Sequence, residues 1–389
     1  MKRILLVVLR FFLYCFSYVV RLFTRVDKHK IVCVANGGKI YGCNPKYITE
    51  YLLANSTEFT IYWLFDKHAD ISDLDKRIHV LRPFSIKYVW VINTAGIIIN
   101  NFRTRFYEMS WRKRKGQIYI MTWHGPLALK RIEKDVHTEG RDLYNKIIDD
   151  DNKQCDLMLS CSQFTNRLIR GAMDFKGEIL ESGLPRNDIF YHREVFPSLK
   201  EKVYKRYGIP YELKVVLYAP TFRTDHTTDC YNIEWHKIVP ALNKYFNDGN
   251  FVILYRLHPD LIVPVDVGED GSARIINVSE YPDIQELLCI SDILITDYSS
   301  SMFEFALLKR PCFIYASDHE SYDRSYYFNI KELPFPFASN SEELCEIINH
   351  FNNSKYLSLL DSFYTKEFGY YENGSACESL YHWLHSKTN

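Results

Sequence analysis

From Lys30 onward, short apolar runs alternate with longer polar or amphipathic segments. "KIVCVAN", "FTIYWLF", "HVLR", "AGIIIN", "QIYIMTW", "LMLSCS" and "EILESG" read as strands in the first half. "VVLYAPT", "FVILYRLHP", "RIINVS", "DILITD" and "CFIYAS" read as strands in the second. Most of these runs are apolar without alternation, the pattern of strands covered on both faces. Helix-like stretches lie between them, such as "PKYITEYLLAN", with its proline at an early position. This βα alternation predicts parallel sheets covered by helices. A polar, proline-containing stretch beginning "SGLPRNDIFYHREVFPSLK" separates the two sets. The expected fold is α/β, with two Rossmann-like domains facing across a cleft, at residues 30–185 and 186–389. Ligands of such sheets bind at the carboxyl ends of the strands.

The first 29 residues follow another pattern. On a helix, Arg3, Arg10, Arg21, Arg25 and Lys28 fall within an arc of roughly 60°, with Tyr14, Ser17 and Tyr18 near the same stripe. The other faces carry Leu, Val, Ile and Phe. This pattern predicts an amphipathic helix in the membrane interface, arginines toward headgroup phosphates and aromatics toward acyl chains. A spanning helix is the alternative, and it would place Arg10 in hydrocarbon at a cost of about 2.5–3.5 kcal/mol. No small-residue cleavage site follows, as a signal peptide would require.

Composition narrows the function. The 389 residues are 47% hydrophobic and 25% charged, as in a folded protein, with 48 basic and 48 acidic residues. A net charge of zero gives no support for a nucleic-acid partner. Ten scattered cysteines without a CxxC pair point to a reducing compartment and no structural zinc. Gly37, Gly38 and Lys39 lack the spacing of a P-loop. The run Asp149, Asp150 and Asp151 reads as a solvated loop rather than a metal site.

The polar residues of interest recur just after an apolar strand. "YIMTWHG" places His124 there, "VLYAPTFR" Arg223, and "ILYRLHP" both Arg256 and His258. "LITDYSSS" places Asp297, Ser299 and Ser300 in the same situation. Ser301 and Glu304 have the spacing of a capping box, which would account for both without a ligand. Ser299 and Ser300 add hydroxyls to a helix start whose free N–H groups favour an anion. His124 also fits a satisfied structural residue, and Arg256 a surface ion pair.

Taken in order, "TWHG", "GLPRND", "YAPTFR", "RLHP" and "TDYSSSMFEFALLKRPCFIYASDHESYDRSYYF" resemble the CDP-glycerol glycerophosphotransferase family of teichoic acid and capsule synthesis. The resemblance runs from about Ile31 to Phe328 and implies a GT-B-like fold. It implies an N-terminal acceptor domain, a C-terminal CDP-donor domain, and peripheral attachment at the cytoplasmic face of a bacterial membrane. His124 would be the base that deprotonates an acceptor hydroxyl, while His258 and Arg256 neutralise the donor pyrophosphate. Ser299 and Ser300 would hold phosphate oxygens, and Glu304 would either reach the ribose or cap its helix. Arg223 and Arg324 would be further phosphate contacts, with Asp297 beside them in the donor site. The implied partners are CDP-glycerol, a polyprenyl-linked glycan acceptor and the membrane surface. No cofactor and no metal are implied. The alternatives are a CDP-ribitol transferase, a nucleotide-sugar glycosyltransferase of the same fold, or a non-catalytic membrane-bound partner of a polymerase complex. Two departures from the family pattern stand out: "PLALK" after "WHG", which displaces Lys130, and Phe335 where glycine is common.

Overall fold

The computed structural model describes residues 2–104, 111–126, 129–137, 140–221, 223, 229–231, 233–247, 249–257, 274–322 and 325–388. The chain forms two compact units. The first comprises Met1–Gly125, Ile132–Asp188 and Tyr371–Asn389; the second comprises Pro126–Arg131 and Ile189–Tyr370.

Unit 1 is built on a seven-stranded parallel sheet of β1 (Asp27–Val34), β2 (Thr60–Leu64), β3 (His79–Leu81), β4 (Ala95–Asn100), β5 (Ile118–Met121), β6 (Leu157–Ser160) and β7 (Glu178–Glu181). The spatial order is β3-β2-β1-β4-β5-β6-β7. Unit 2 holds a six-stranded parallel sheet of β8 (Lys214–Tyr218), β9 (Phe251–Tyr255), β10 (Arg274–Asn277), β11 (Ile293–Thr296), β12 (Cys312–Tyr315) and β13 (Phe337–Ala338). Its order is β10-β9-β8-β11-β12-β13. The strands expected from the sequence are all present, and the two-residue β13 is an addition. Residues of β4, β9, β11 and β12 are buried on both faces, which is why their sequences are apolar without alternation.

Each order reverses once, between β1 and β4 in unit 1 and between β8 and β11 in unit 2. In an open α/β sheet the helices on either side of such a point diverge. They leave a crevice at the carboxyl edge.

The N-terminal helix α1 (Lys2–Phe23) stops short of Arg25, and Lys28 belongs to β1. Two of its arginines contact the rest of the protein. Arg21 donates to Asn93 Oδ1 at 2.7 Å and to the Arg112 carbonyl, and the Arg10 guanidinium lies 5.4 Å from the Phe84 ring centre. Leu13, Ser17 and Val20 are buried on the same side, while Phe11, Phe12, Val19, Leu22 and Phe23 are exposed. A helical wheel gives the two faces but not which of them meets the protein. Here Arg21 finds a carbonyl and an amide oxygen in its own unit, and Arg10 an aromatic ring. Among the described residues, no helix is long and apolar enough to cross a membrane.

The chain re-enters unit 1 at Tyr371, and the stretch "GLPRND" anchors it there. Asp188 accepts from the Ala376 and Cys377 amides, at 2.9 and 2.8 Å, at the start of the helix Ala376–Thr388. Glu372 accepts from Asn187 Nδ2 at 2.7 Å and from the Leu184 amide at 3.3 Å. Gly183 adopts φ +91°, and a Cβ there would lie 2.5 Å from Glu372 Oε2. Helix-start amides that lose their acceptor destabilise a protein by about 1–2 kcal/mol. Asp188→Ala is therefore expected to lower the urea unfolding midpoint, and Asp188→Asn to retain part of the loss; an unchanged midpoint in D188A would contradict the anchoring role.

Candidate functional site

At the carboxyl edge of unit 1, His124 follows β5 beside the point where the strand order reverses. Its ring is stacked between Phe102 and Trp123, each centroid 4.5 Å away and at interplanar angles of 6° and 27°. Nδ1 lies 3.2 Å from the carbonyl oxygen of Asn101. A carbonyl only accepts, so Nδ1 carries the proton in the neutral ring and Nε2 carries the lone pair.

A frame of asparagines holds this slot. Asn44 is fully buried and donates to the Thr122 and Trp123 carbonyls at 3.1 and 3.0 Å, while its oxygen accepts from the Arg186 amide at 3.1 Å. Asn36 and Asn101, at the ends of β1 and β4, exchange two hydrogen bonds of 2.8 and 2.9 Å. Trp123 sits at φ +55°, a conformation that a bulky residue takes only when its surroundings impose it. Behind it, Arg103 is buried between Glu133 (2.9 Å) and Asp151 (3.0 Å), with its guanidinium 6.0 Å from the Trp123 ring centre. Asp151 thus corrects the reading of 149–151 as a solvated loop. The run lies on the helix Asp142–Asn152, and Asp151 is fully buried. Burial pushes its carboxyl up, against the pull of Arg103.

In unit 2, two of the three arginines singled out from the sequence have different surroundings. Arg223, after β8, is buried and directs four N–H bonds onto protein oxygens. Nε and Nη2 reach Asp318 at 2.6 and 3.1 Å, Nη2 also reaches Asp297 at 2.9 Å, and Nη1 reaches the Thr221 carbonyl at 2.5 Å. Burial alone would lower its pKa, but the bonds to Asp318 and the charge of Asp297 more than offset that and raise it. Arg256, after β9, makes one long contact, from Nη2 to the Tyr281 carbonyl at 3.4 Å. Its buried Nε has no partner among the described residues, and burial pulls its pKa down.

Asp297 ends β11 with Oδ1 on the Thr221 amide at 2.8 Å and on the Tyr298 amide at 2.5 Å. The serines come next. Ser299 Oγ accepts from the Ser301 amide at 3.3 Å and from Ser301 Oγ at 2.8 Å. Ser300 Oγ caps nothing, and both Ser299 and Ser300 are half-buried. The Ser299 and Ser300 amides meet no acceptor among the described residues. The capping box does not form in the expected register. Ser301 lies inside the helix Ser301–Phe305 with its hydroxyl on Ser299, and the buried Glu304 accepts from Gln285 at 3.2 Å.

Phe335 is also accounted for. It packs edge-on against Phe303 at 5.6 Å, beneath the serine turn, in a cluster with Phe363 and Phe368. Lys130 pairs with Tyr326 in a short antiparallel bridge. His258 and Arg324 lie outside the described residues. Among the described residues, no group of three or more His, Cys, Asp or Glu side chains could hold a metal ion. Sequence reasoning missed Asn44, Asn101, Phe102 and Asp318. All but Asn44 follow a strand end, so the rule that found His124 reaches them too.

A family model described as CDP-glycerol:poly(glycerophosphate) glycerophosphotransferase matches residues 16–386. A teichoic acid poly(glycerol phosphate) polymerase of Bacillus spizizenii is 32% identical, over 90% of this chain and 90% of its own. A teichoic acid glycerol-phosphate transferase of Staphylococcus aureus is 30% identical, over 91% of this chain and 92% of its own. The chain spans about half the length of two other curated poly(glycerol phosphate) polymerases that it matches. Among solved structures, the wall teichoic acid polymerase TagF superimposes with a TM-score of 0.81 at 29% identity, covering 96% of this chain and 93% of that one.

The Asn101 contact generates a direct expectation. Nitrogen-15 NMR of the neutral protein should show the Nδ1–H tautomer for His124, and an Nε2–H signal would contradict the slot as described.

Proposed function

The chain belongs to the CDP-glycerol:poly(glycerophosphate) glycerophosphotransferase family, and we infer from that membership that it transfers glycerol phosphate from CDP-glycerol to a hydroxyl of a membrane-linked acceptor, releasing CMP. Glycerol is preferred over ribitol because the relatives at 30–32% identity carry glycerol phosphate in their names. The acceptor is a polyprenyl-linked glycan. The exposed apolar face of α1 rests on the cytoplasmic face of the membrane, where such an acceptor lies.

The observation that carries the donor assignment is the difference between the two arginines. Arg223 has four of its five N–H groups on protein acceptors, whereas Arg256 keeps most of its donors for a ligand. With the Ser299 and Ser300 amides and the uncommitted Ser300 hydroxyl, Arg256 forms a group suited to diphosphate oxygens. His258, two residues beyond Arg256, joins it on the donor, and Arg324 is a further candidate.

In the reaction, the acceptor oxygen attacks the β-phosphorus while His124 Nε2 takes its proton. The bond from that phosphorus to the bridging oxygen breaks, and CMP leaves with the bonding pair. Arg256, His258 and the serine amides offset the charge that develops on the phosphoryl oxygens and on CMP. Positioning and charge supply most of the acceleration. A general base typically adds 10²–10⁴-fold. The stacked rings present their faces to the imidazole, which favours the imidazolium that this step creates.

His124→Ala should bind CDP-glycerol as the unaltered protein does by calorimetry, yet release CMP at least about 100-fold more slowly. Near-normal CMP release from H124A would remove the base assignment. CMP release by the unaltered protein from CDP-glycerol, with none from a nucleotide-sugar panel, separates this reading from a glycosyltransferase. No CMP release with any lipid acceptor would favour a non-catalytic partner instead.

A further inference from the structure

Asp318 has no part in the reaction just described, yet it is the strongest partner of a residue at the reversal point of the unit 2 sheet. It follows β12, and its two oxygens take the Nε and Nη2 edge of Arg223 side by side. Tyr298, one residue before the serines, donates its hydroxyl to Asp318 Oδ1 at 2.8 Å. The Arg223 guanidinium also bonds Asp297, the residue that ends β11. Three strand ends, after β8, β11 and β12, therefore meet on one planar cation. The rings of Tyr231, Tyr298 and Tyr322 surround it at 5.6, 4.9 and 5.1 Å, and Tyr298 stacks on Tyr322 at 3.7 Å. The Arg223 and Asp297 side chains are buried and Asp318 is partly so, and a bidentate pair gains strength as water is excluded.

We propose that Arg223 and Asp318 are positioning residues for the donor site: together they fix the Asp297–Ser300 turn in the geometry that presents its amides to the diphosphate. The proposal rests on the reading of the serine turn as the donor site. It differs in sign from the simpler ideas. If Arg223 were itself a phosphate ligand, removing the Asp318 charge would release its donors and tighten donor binding. If the cluster acted only through its field, the result would have the same sign. The cluster holds two carboxylates for one guanidinium, so losing one carboxylate makes the site less repulsive to an anion. A positioning role predicts the reverse, because the planar fork loses the acceptor that orients it.

The experiment is calorimetric titration of the full-length protein with CDP-glycerol. Asp318→Asn is expected to raise Kd about tenfold, the equivalent of one charge-assisted hydrogen bond. Tyr298→Phe, which leaves every charge in place, is expected to raise it about threefold. Y298F also keeps the test available should D318N not fold. Ser299→Ala/Ser300→Ala tests the donor reading separately. Weakened binding in the serine variant, with D318N or Y298F at or below the unaltered Kd, would overturn the positioning role alone. Unaltered binding in both the serine variant and Arg256→Ala, or no CDP-glycerol binding by the unaltered protein, would overturn the donor reading and this inference with it.

Discussion

Parallel strands all leave their sheet by the same edge, and the arrangement of functional groups in this protein follows from that constraint. Strands buried on both faces carry few polar side chains, so polar residues gather at their ends and just after them. Where the strand order reverses, those residues also gain a crevice. Unit 1 places Asn36, Asn101 and His124 at that edge, and unit 2 places Arg223, Arg256, Asp297 and the serines there. The backbone bears some strain as a result. Asn36, Cys43 and Trp123 all have positive φ, and such residues typically cost about 1–3 kcal/mol each.

The two edges have opposite chemistry. His124 has a carbonyl and two aromatic faces against it, in a slot braced by asparagine amides. The edge of unit 2 is ionic, and its arginines divide the work. One has its charge consumed in holding strand ends together, and the other keeps donors in reserve. On the proposed reading, this division lets the site be both rigid and receptive to an anion.

Much of this was legible in the sequence, because burial on both faces writes itself as uninterrupted apolar residues. The strand-end residues followed from the same logic. What was hidden depends on partners remote in the chain. Arg223 looks like a phosphate ligand until Asp318, 95 positions away, is seen on it. Asp188 looks like part of a loop until the amide of Ala376 is found there. The arginine stripe of α1 was visible, but its acceptors at Asn93 and Arg112 were not. Even a local signal failed at Ser301, which lies inside its helix instead of at the N-cap, with its hydroxyl on Ser299.

The most direct test of the account is a crystal structure of the full chain with CDP-glycerol. The account predicts diphosphate oxygens within hydrogen-bonding distance of the Ser299 and Ser300 amides, with the Arg256 guanidinium on the same group. A diphosphate seated on the asparagine turn of unit 1, or at the amino edge of the unit 2 sheet, would contradict it.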